Sequence, residues 1–223
     1  MACTLPLHPN SLMNSKVNIL IVDDEALIRE GLRSLLEKES FIGAIYEAGD
    51  DTQFREQLSR QKIDVVLLDI RLRHVTGVEL LDHVKKVSPS IKVIAVTGME
   101  GVELVINLLK SGVDGIVYKL DGYDEIRRTL KSILAAGNYF PPNILKIIQS
   151  NSREWGHVPT VVLSRRELEL LKAIARGFIT KEIAIEFKMA EATAETYRLR
   201  LIKKVGVPNT AALLAYAFRN GIL

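Results

Sequence analysis

Five polar residues stand at the carboxyl ends of four short apolar runs. Asp23 and Asp24 follow VNILIV, Asp69 follows VVLL, Thr97 follows VIAV, and Lys119 follows GIVY. Carboxylates gathered in one place repel, and the natural partner for such a group is a hard divalent cation such as Mg2+, which favours oxygen ligands. Lys119 adds a fixed positive charge and Thr97 a hydroxyl donor. Together they suit phosphoryl transfer to a carboxylate, which needs an anionic nucleophile, charge neutralisation around the phosphoryl oxygens and positioned donors. The plainer account is that each acid merely ends a strand or caps the next helix, a role open to Asp24 just before Glu25. Convergence of all five positions favours the chemical reading.

That convergence depends on the elements between them. The runs Val17–Val22, Ile42–Ala48, Val65–Leu68, Val93–Val96 and Gly115–Tyr118 read as five buried strands, and the segments near 25–38, 51–60, 76–87, 100–111 and 123–136 carry helical periodicity. Strict alternation of strand and helix implies an α/β fold, a doubly wound parallel sheet covered on both faces, with functional groups at the carboxyl ends of its strands. This first domain is expected over 16–137, after a disordered tail over 1–15 in which Met13 is a candidate start. Residues 138–160 read as a linker with a short helix, Asn143–Gln149, and a polar stretch containing Trp155, Gly156 and Pro159. Trp155 either packs between the domains or stands as a loose surface aromatic.

From 161 to 223 the pattern is all helical. Ser164 and Glu167 form the signature of a capping box, Gly177 ends the first helix, Thr180–Lys188 forms a second, Glu191–Val205 a third, and Asn209 caps a fourth. Two short helices joined by a tight turn frame a helix-turn-helix reader. On the third helix Ala194, Leu201 and Val205 share an inward stripe. Thr196, Leu199, Arg200 and Lys203 lie opposite, with Glu195 at the edge. Such a basic face suits phosphate and base-edge contacts, and it equally describes a solvated helix surface.

The bulk numbers agree with two domains. The chain has 223 residues, 48% hydrophobic and 26% charged, enough to bury a core in each. Net charge is only +3, but residues 160–223 carry 11 Lys+Arg against 6 Asp+Glu while the remainder is slightly acidic. An acidic first part with a basic last part fits a regulatory module joined to a nucleic-acid reader. The single cysteine, Cys3, rules out an internal disulfide framework. With neither a membrane span nor a secretory signal in the sequence, the cytoplasm is the expected compartment. The four histidines, His8, His74, His83 and His157, lack ligand spacing and read as surface or loop residues, as do Lys85 and Lys86.

From Val17 to Ala136 these residues resemble the receiver domains of bacterial two-component response regulators, in a flavodoxin-like fold. The resemblance rests on Asp23-Asp24 after a strand, LLDI through Asp69, Gly77 eight residues beyond it, Thr97 and Lys119. It implies that Asp69 accepts a phosphoryl group from a sensor histidine kinase. Asp24, Asp69 and the main-chain carbonyl of Arg71 would ligate Mg2+ directly, and Asp23 through water. Thr97 would report the phosphoryl group to a switch at the position of Ile116. Residues Leu163–Leu223 are similar to the LuxR-type helix-turn-helix domain of NarL/FixJ-type regulators. The matching residues include Arg166-Glu167, Lys181-Glu182-Ile183-Ala184, Glu195-Thr196, Lys204 and Gly206-Val207. By that likeness Lys181, Glu195, Thr196, Leu199, Arg200 and Lys203 face double-stranded operator DNA. The last helix pairs two phosphorylated chains as a homodimer, and RNA polymerase is a candidate partner.

The chain departs from the pattern in several places. Arg73 stands where many receivers have Pro, Ile116 where an aromatic switch residue is usual, and Leu120 where some have Pro. Ala190 replaces the polar cap of the third helix. Tyr118 should face away from Lys119 and so does not replace the missing aromatic directly. Arg73 and Ile116 leave open a DNA-binding regulator that phosphorylation does not drive. A third reading, a phosphatase with an aspartyl nucleophile, needs a second acid two residues after Asp69, where Arg71 stands; the chain is therefore expected not to be an enzyme.

Overall fold

The computed structural model describes residues 16–98, 101–136, 138–155 and 161–223. The tail over 1–15 and the end of the linker over 156–160 lie outside the described residues. The strands are β1 (Val17–Val22), β2 (Ile42–Ala48), β3 (Val65–Asp69), β4 (Lys92–Thr97) and β5 (Gly115–Tyr118). The helices between and after them are α1 (Ala26–Leu36), α2 (Asp51–Arg60), α3 (Gly77–Val87), α4 (Val102–Lys110) and α5 (Gly122–Ala136). All strands pair in parallel in the order β2-β1-β3-β4-β5. Every residue of the central strand β3 is buried, as a parallel strand covered on both faces requires.

Alternation along the strands divides the core in two. Ile19, Ile21, Val65, Leu67, Ile94, Val96 and Val117 pack under α1 and α5 with Leu36, Ile126 and Leu130. Leu20, Val22, Val66, Leu68, Val93, Ala95 and Ile116 pack under α2, α3 and α4 with Phe54, Leu80, Val84, Val105 and Leu108. The second cluster does not stop at α4. It continues through α6 (Pro142–Ser150), where Ile144 and Ile148 are fully buried, into the carboxyl-terminal helices.

Those helices are α7 (Arg165–Ala175), α8 (Thr180–Glu186), α9 (Glu191–Val205) and α10 (Thr210–Arg219). Ser164 makes the expected capping box with Glu167. Gly177 (φ +84°) and Gly206 (φ +77°) follow the ends of α7 and α9 in the left-handed region, which glycine enters without a Cβ penalty. Asn209 caps α10 by accepting from the Ala212 N–H at 2.8 Å. Residues 210–217 of α10 are all buried, packed against α6, α4, α7 and a 3-10 turn, Ser152–Trp155. The stretch read as a linker is thus a wedge between two halves, and Trp155 packs against the shared core. Among the described residues no helix is long and apolar enough to cross a membrane.

Candidate functional site

Sheet register alone brings the strand-end residues together. Val22 pairs with Leu68, which sets Asp23 beside Asp69; Asp69 pairs with Val96, next to Thr97; and Thr97 pairs with Tyr118, next to Lys119. The apolar runs stop there because the carboxyl edge of the sheet opens between loops. Asp23, Asp69 and Thr97 are nonetheless buried, at 3%, 4% and 1% exposure.

The Lys119 ammonium lies 2.8 Å from Asp23 Oδ2 and 2.8 Å from Asp69 Oδ2, with Glu25 further out at 3.5 Å. Burial opposes its charge, but the two carboxylates outweigh that and push its pKa up. Burial also raises the Asp23 carboxyl above the ordinary range, against the opposing pull of Lys119 and the Glu25 N–H. The other oxygens are held by backbone: Glu25 N–H donates to Asp23 Oδ1 at 2.9 Å and Arg71 N–H to Asp69 Oδ1 at 3.0 Å. Hence Asp23, not Asp24, holds the N–H of Glu25, the residue that precedes α1. Asp24 accepts from Arg73 Nε at 2.9 Å.

Oxygen atoms of Asp23, Asp24 and Asp69 lie within 4.8 Å of one another. Clustered carboxylate oxygens are the donor set that a hard cation such as Mg2+ prefers, so these residues fit the ion implied by their sequence. The loop after Asp69 is closed at its base by a bridge between Arg71 and Thr76 and by Gly77 N–H donating to the Ile70 carbonyl at 3.0 Å. Ile116, at 2% exposure, sits on the same sheet face as Thr97 and Tyr118, under α4. Lys85, read from sequence as a solvated position, instead pairs with Asp114 at 2.5 Å and donates to the Ile91 carbonyl.

On α9 the inward stripe is Ala194, Leu201 and Val205 as expected, with Arg198 added at 6% exposure. Arg198 Nη2 donates to both Glu195 oxygens at 2.8 and 2.7 Å, and Nη1 to Asn138 Oδ1 at 2.6 Å. Asn138 Nδ2 in turn donates to Thr210 Oγ1 at 2.6 Å. Glu195 therefore does not stand free on the outer face; it also accepts from Thr180 Oγ1. Lys181, Thr196, Leu199, Arg200 and Lys203 are exposed. Asn209 Nδ2 donates to the Leu109 carbonyl at the end of α4, a second polar tie between the halves. Sequence reasoning passed over Arg198 and Asn138. The signal for Arg198 was its spacing, four residues after Ala194 and three before Leu201 on the buried stripe.

An aspartate-lined carboxyl edge on a parallel sheet of this strand order, followed by a helix-turn-helix bundle, defines a regulator with a signal-receiving half and an effector half. Residues 19–131 match the response regulator receiver domain, and residues 161–217 match the luxR family of bacterial regulatory proteins. The chain is 30% identical over 209 residues to the transcriptional regulatory protein MctR of Rhizobium johnstonii, covering 93% of this chain and 96% of that one. It is 27% identical to the response regulator protein VraR of Staphylococcus saprophyticus, covering 93% and 99%. Among solved structures it is similar to the RcsB response regulator of Salmonella typhimurium, with 25% identity, a TM-score of 0.56, and coverage of 91% and 98%. The chain belongs to the transcriptional response regulators of the NarL/FixJ type, a receiver domain joined to a LuxR-type DNA-binding domain.

Proposed function

We propose that Asp69 is the phosphoacceptor and that its phosphorylation by a sensor histidine kinase releases the LuxR-type domain to bind operator DNA as a homodimer. The observation that carries this reading is the carboxylate trio at the sheet edge, two of its members buried and bridged by Lys119 at 2.8 Å. One oxygen of Asp69 attacks the phosphorus of a phosphohistidine donor; the O–P bond forms as the P–N bond breaks, and the imidazole leaves with the electron pair. Asp69 needs no base, since a carboxylate is the reacting form. Arg71 N–H orients it, and Lys119 can transfer its hydrogen bond from Asp69 to a phosphoryl oxygen. Asp24, Asp69 and the Arg71 carbonyl would hold Mg2+, with Asp23 behind them, and the ion would neutralise charge on the phosphoryl oxygens.

Thr97 and Ile116 belong to the face whose core runs unbroken to α10. A change at the acceptor biases two arrangements of that face. In the closed arrangement α10 is buried and Arg198 anchors α9 to Asn138. Opening frees α10 to pair two chains, and Lys181, Thr196, Leu199, Arg200 and Lys203 to meet the major groove, with Glu195 at its margin. We place the domain boundaries at about 16–137 and 161–223 and the site of action in the cytoplasm, with RNA polymerase as a further partner. The chain acts on this reading as a switch rather than a turnover enzyme, since Arg71 occupies the position where an aspartyl phosphatase carries its second acid.

The test is labelling by a phosphodonor such as acetyl phosphate. Asp69→Asn is expected to abolish it; robust Mg2+-dependent labelling of that variant at the same site would sink the assignment.

A further inference from the structure

Each member of the carboxylate trio already has a protein cation on it. Lys119 holds Asp23 and Asp69, and Arg73 holds Asp24 through Nε at 2.9 Å. The two cations differ in how firmly they are placed. The Lys119 side chain is 20% exposed and paired with three carboxylates, those of Asp23, Asp69 and Glu25, whereas the Arg73 side chain is 74% exposed and bound by one. Arg73 also has little freedom to leave the neighbourhood. Its loop joins the end of β3 to the start of α3 and is closed at the base by the Arg71–Thr76 bridge. Asp24, at 16% side-chain exposure, is the most accessible of the three acids, so a cation entering from solvent meets the Arg73–Asp24 pair.

We propose that Arg73 is a tethered competitor for the divalent cation: it occupies in the resting protein a carboxylate oxygen that the ion must take. The inference rests on the Mg2+ reading of the trio and adds a residue that sets its affinity. Lys119 alone leaves the trio two charges short of neutral, while Arg73 reduces that deficit to one and weakens the attraction for a dication. An exposed ion pair is modest in strength, so displacement of Arg73 is easy and the penalty on Mg2+ binding is about fivefold at low ionic strength. Occupancy of the acceptor site then depends on free Mg2+ over a range in which an uncontested trio would already be full.

Isothermal titration of Mg2+ into the unphosphorylated full chain tests this without reference to phosphorylation. Arg73→Ala is expected to tighten Mg2+ binding about fivefold in low salt and less in high salt, where exposed charges are screened. Arg73→Lys, which keeps the charge but not the guanidinium geometry, is expected to fall between. Arg60→Ala removes the same charge at the end of α2, towards the opposite edge of the sheet, and is expected to leave the affinity unchanged. Equal affinities for wild type and Arg73→Ala, or equal tightening by Arg60→Ala, would overturn the role of Arg73 while leaving the metal site standing. Absence of Mg2+ binding in wild type and Arg73→Ala alike would remove the metal reading and this proposal together.

Discussion

A Cβ placed on Gly77 would stand 2.5 Å from the Asp69 carbonyl oxygen and 2.5 Å from the Ile70 Cα. Both obstacles are backbone, so neither can turn aside as a side chain would. The start of α3 is thus drawn against the acceptor loop as closely as a glycine allows, and the Arg71 N–H that orients Asp69 hangs on that loop. Gly77→Ala is expected to lower stability by about 2 kcal/mol through overpacking and to slow labelling of Asp69. Thermal unfolding and acetyl phosphate kinetics measure the two effects, and unchanged values for both would mean that the loop is not held this way. At this scale the sequence was informative wherever a residue's role follows from strand position: Asp23, Asp24, Asp69, Thr97 and Lys119 had to converge once the sheet was parallel. It was silent on pairings across the fold. Nothing in the spacing of Arg73 and Asp24, or of Arg198 and Asn138, marks them as partners.

Elements were legible to within about two residues where buried runs meet polar ends, which includes every strand and the caps at Ser164 and Asn209. Burial of two strand faces leaves little choice of register, and α6 shows the opposite case. Ile144 and Ile148 stand four residues apart, a one-turn apolar pair that resembles any short helix, and only the groove between α4 and α10 makes it a wedge. The capping box at the start of α7 carries a further consequence. Lys204 Nζ lies 2.7 Å from Glu167 Oε2, and Ser164 N–H donates to the same oxygen at 2.7 Å. The bond to Lys204, then the Ser164 N–H, holds the Glu167 carboxyl below its ordinary 4.5. A carboxylate whose folded pKa is depressed contributes stability in full above the unfolded value and loses it as pH falls through the folded one. Glu167→Gln is therefore expected to lower stability at pH 7 by about 0.5–1 kcal/mol. The deficit against wild type should shrink as pH drops below 4.5. A difference in melting temperature that stayed constant from pH 7 to pH 3.5 would show that the charge of Glu167 is not what ties α7 to α9.

At the scale of the whole molecule, one apolar cluster joins the sheet face beneath Ile116 to α10, and polar bonds from Asn138 and Asn209 tie the halves together. Asn138 makes two of them, accepting from Arg198 on α9 and donating to Thr210 on α10. On the proposed reading both exist only while the halves are closed, so Asn138→Ala acts on the closed state alone. Arg198 would then lose one of its acceptors while remaining buried, a cost of about 1–3 kcal/mol. That shifts a closed–open equilibrium roughly 5- to 150-fold toward the open form and strengthens DNA binding by up to the same factor, until the open form predominates. The position of Asn138 also orders the events. If phosphorylation works by weakening closure, a chain opened at Asn138 no longer needs Asp69. In a gel-shift assay with a target operator, Asp69→Asn alone is expected to block the response to beryllofluoride. Asn138→Ala should bind without any phosphoryl mimic, and the double variant should bind as tightly as Asn138→Ala. Weak binding by the double variant beside tight binding by Asn138→Ala would show that Asp69 acts on DNA affinity by a route other than closure.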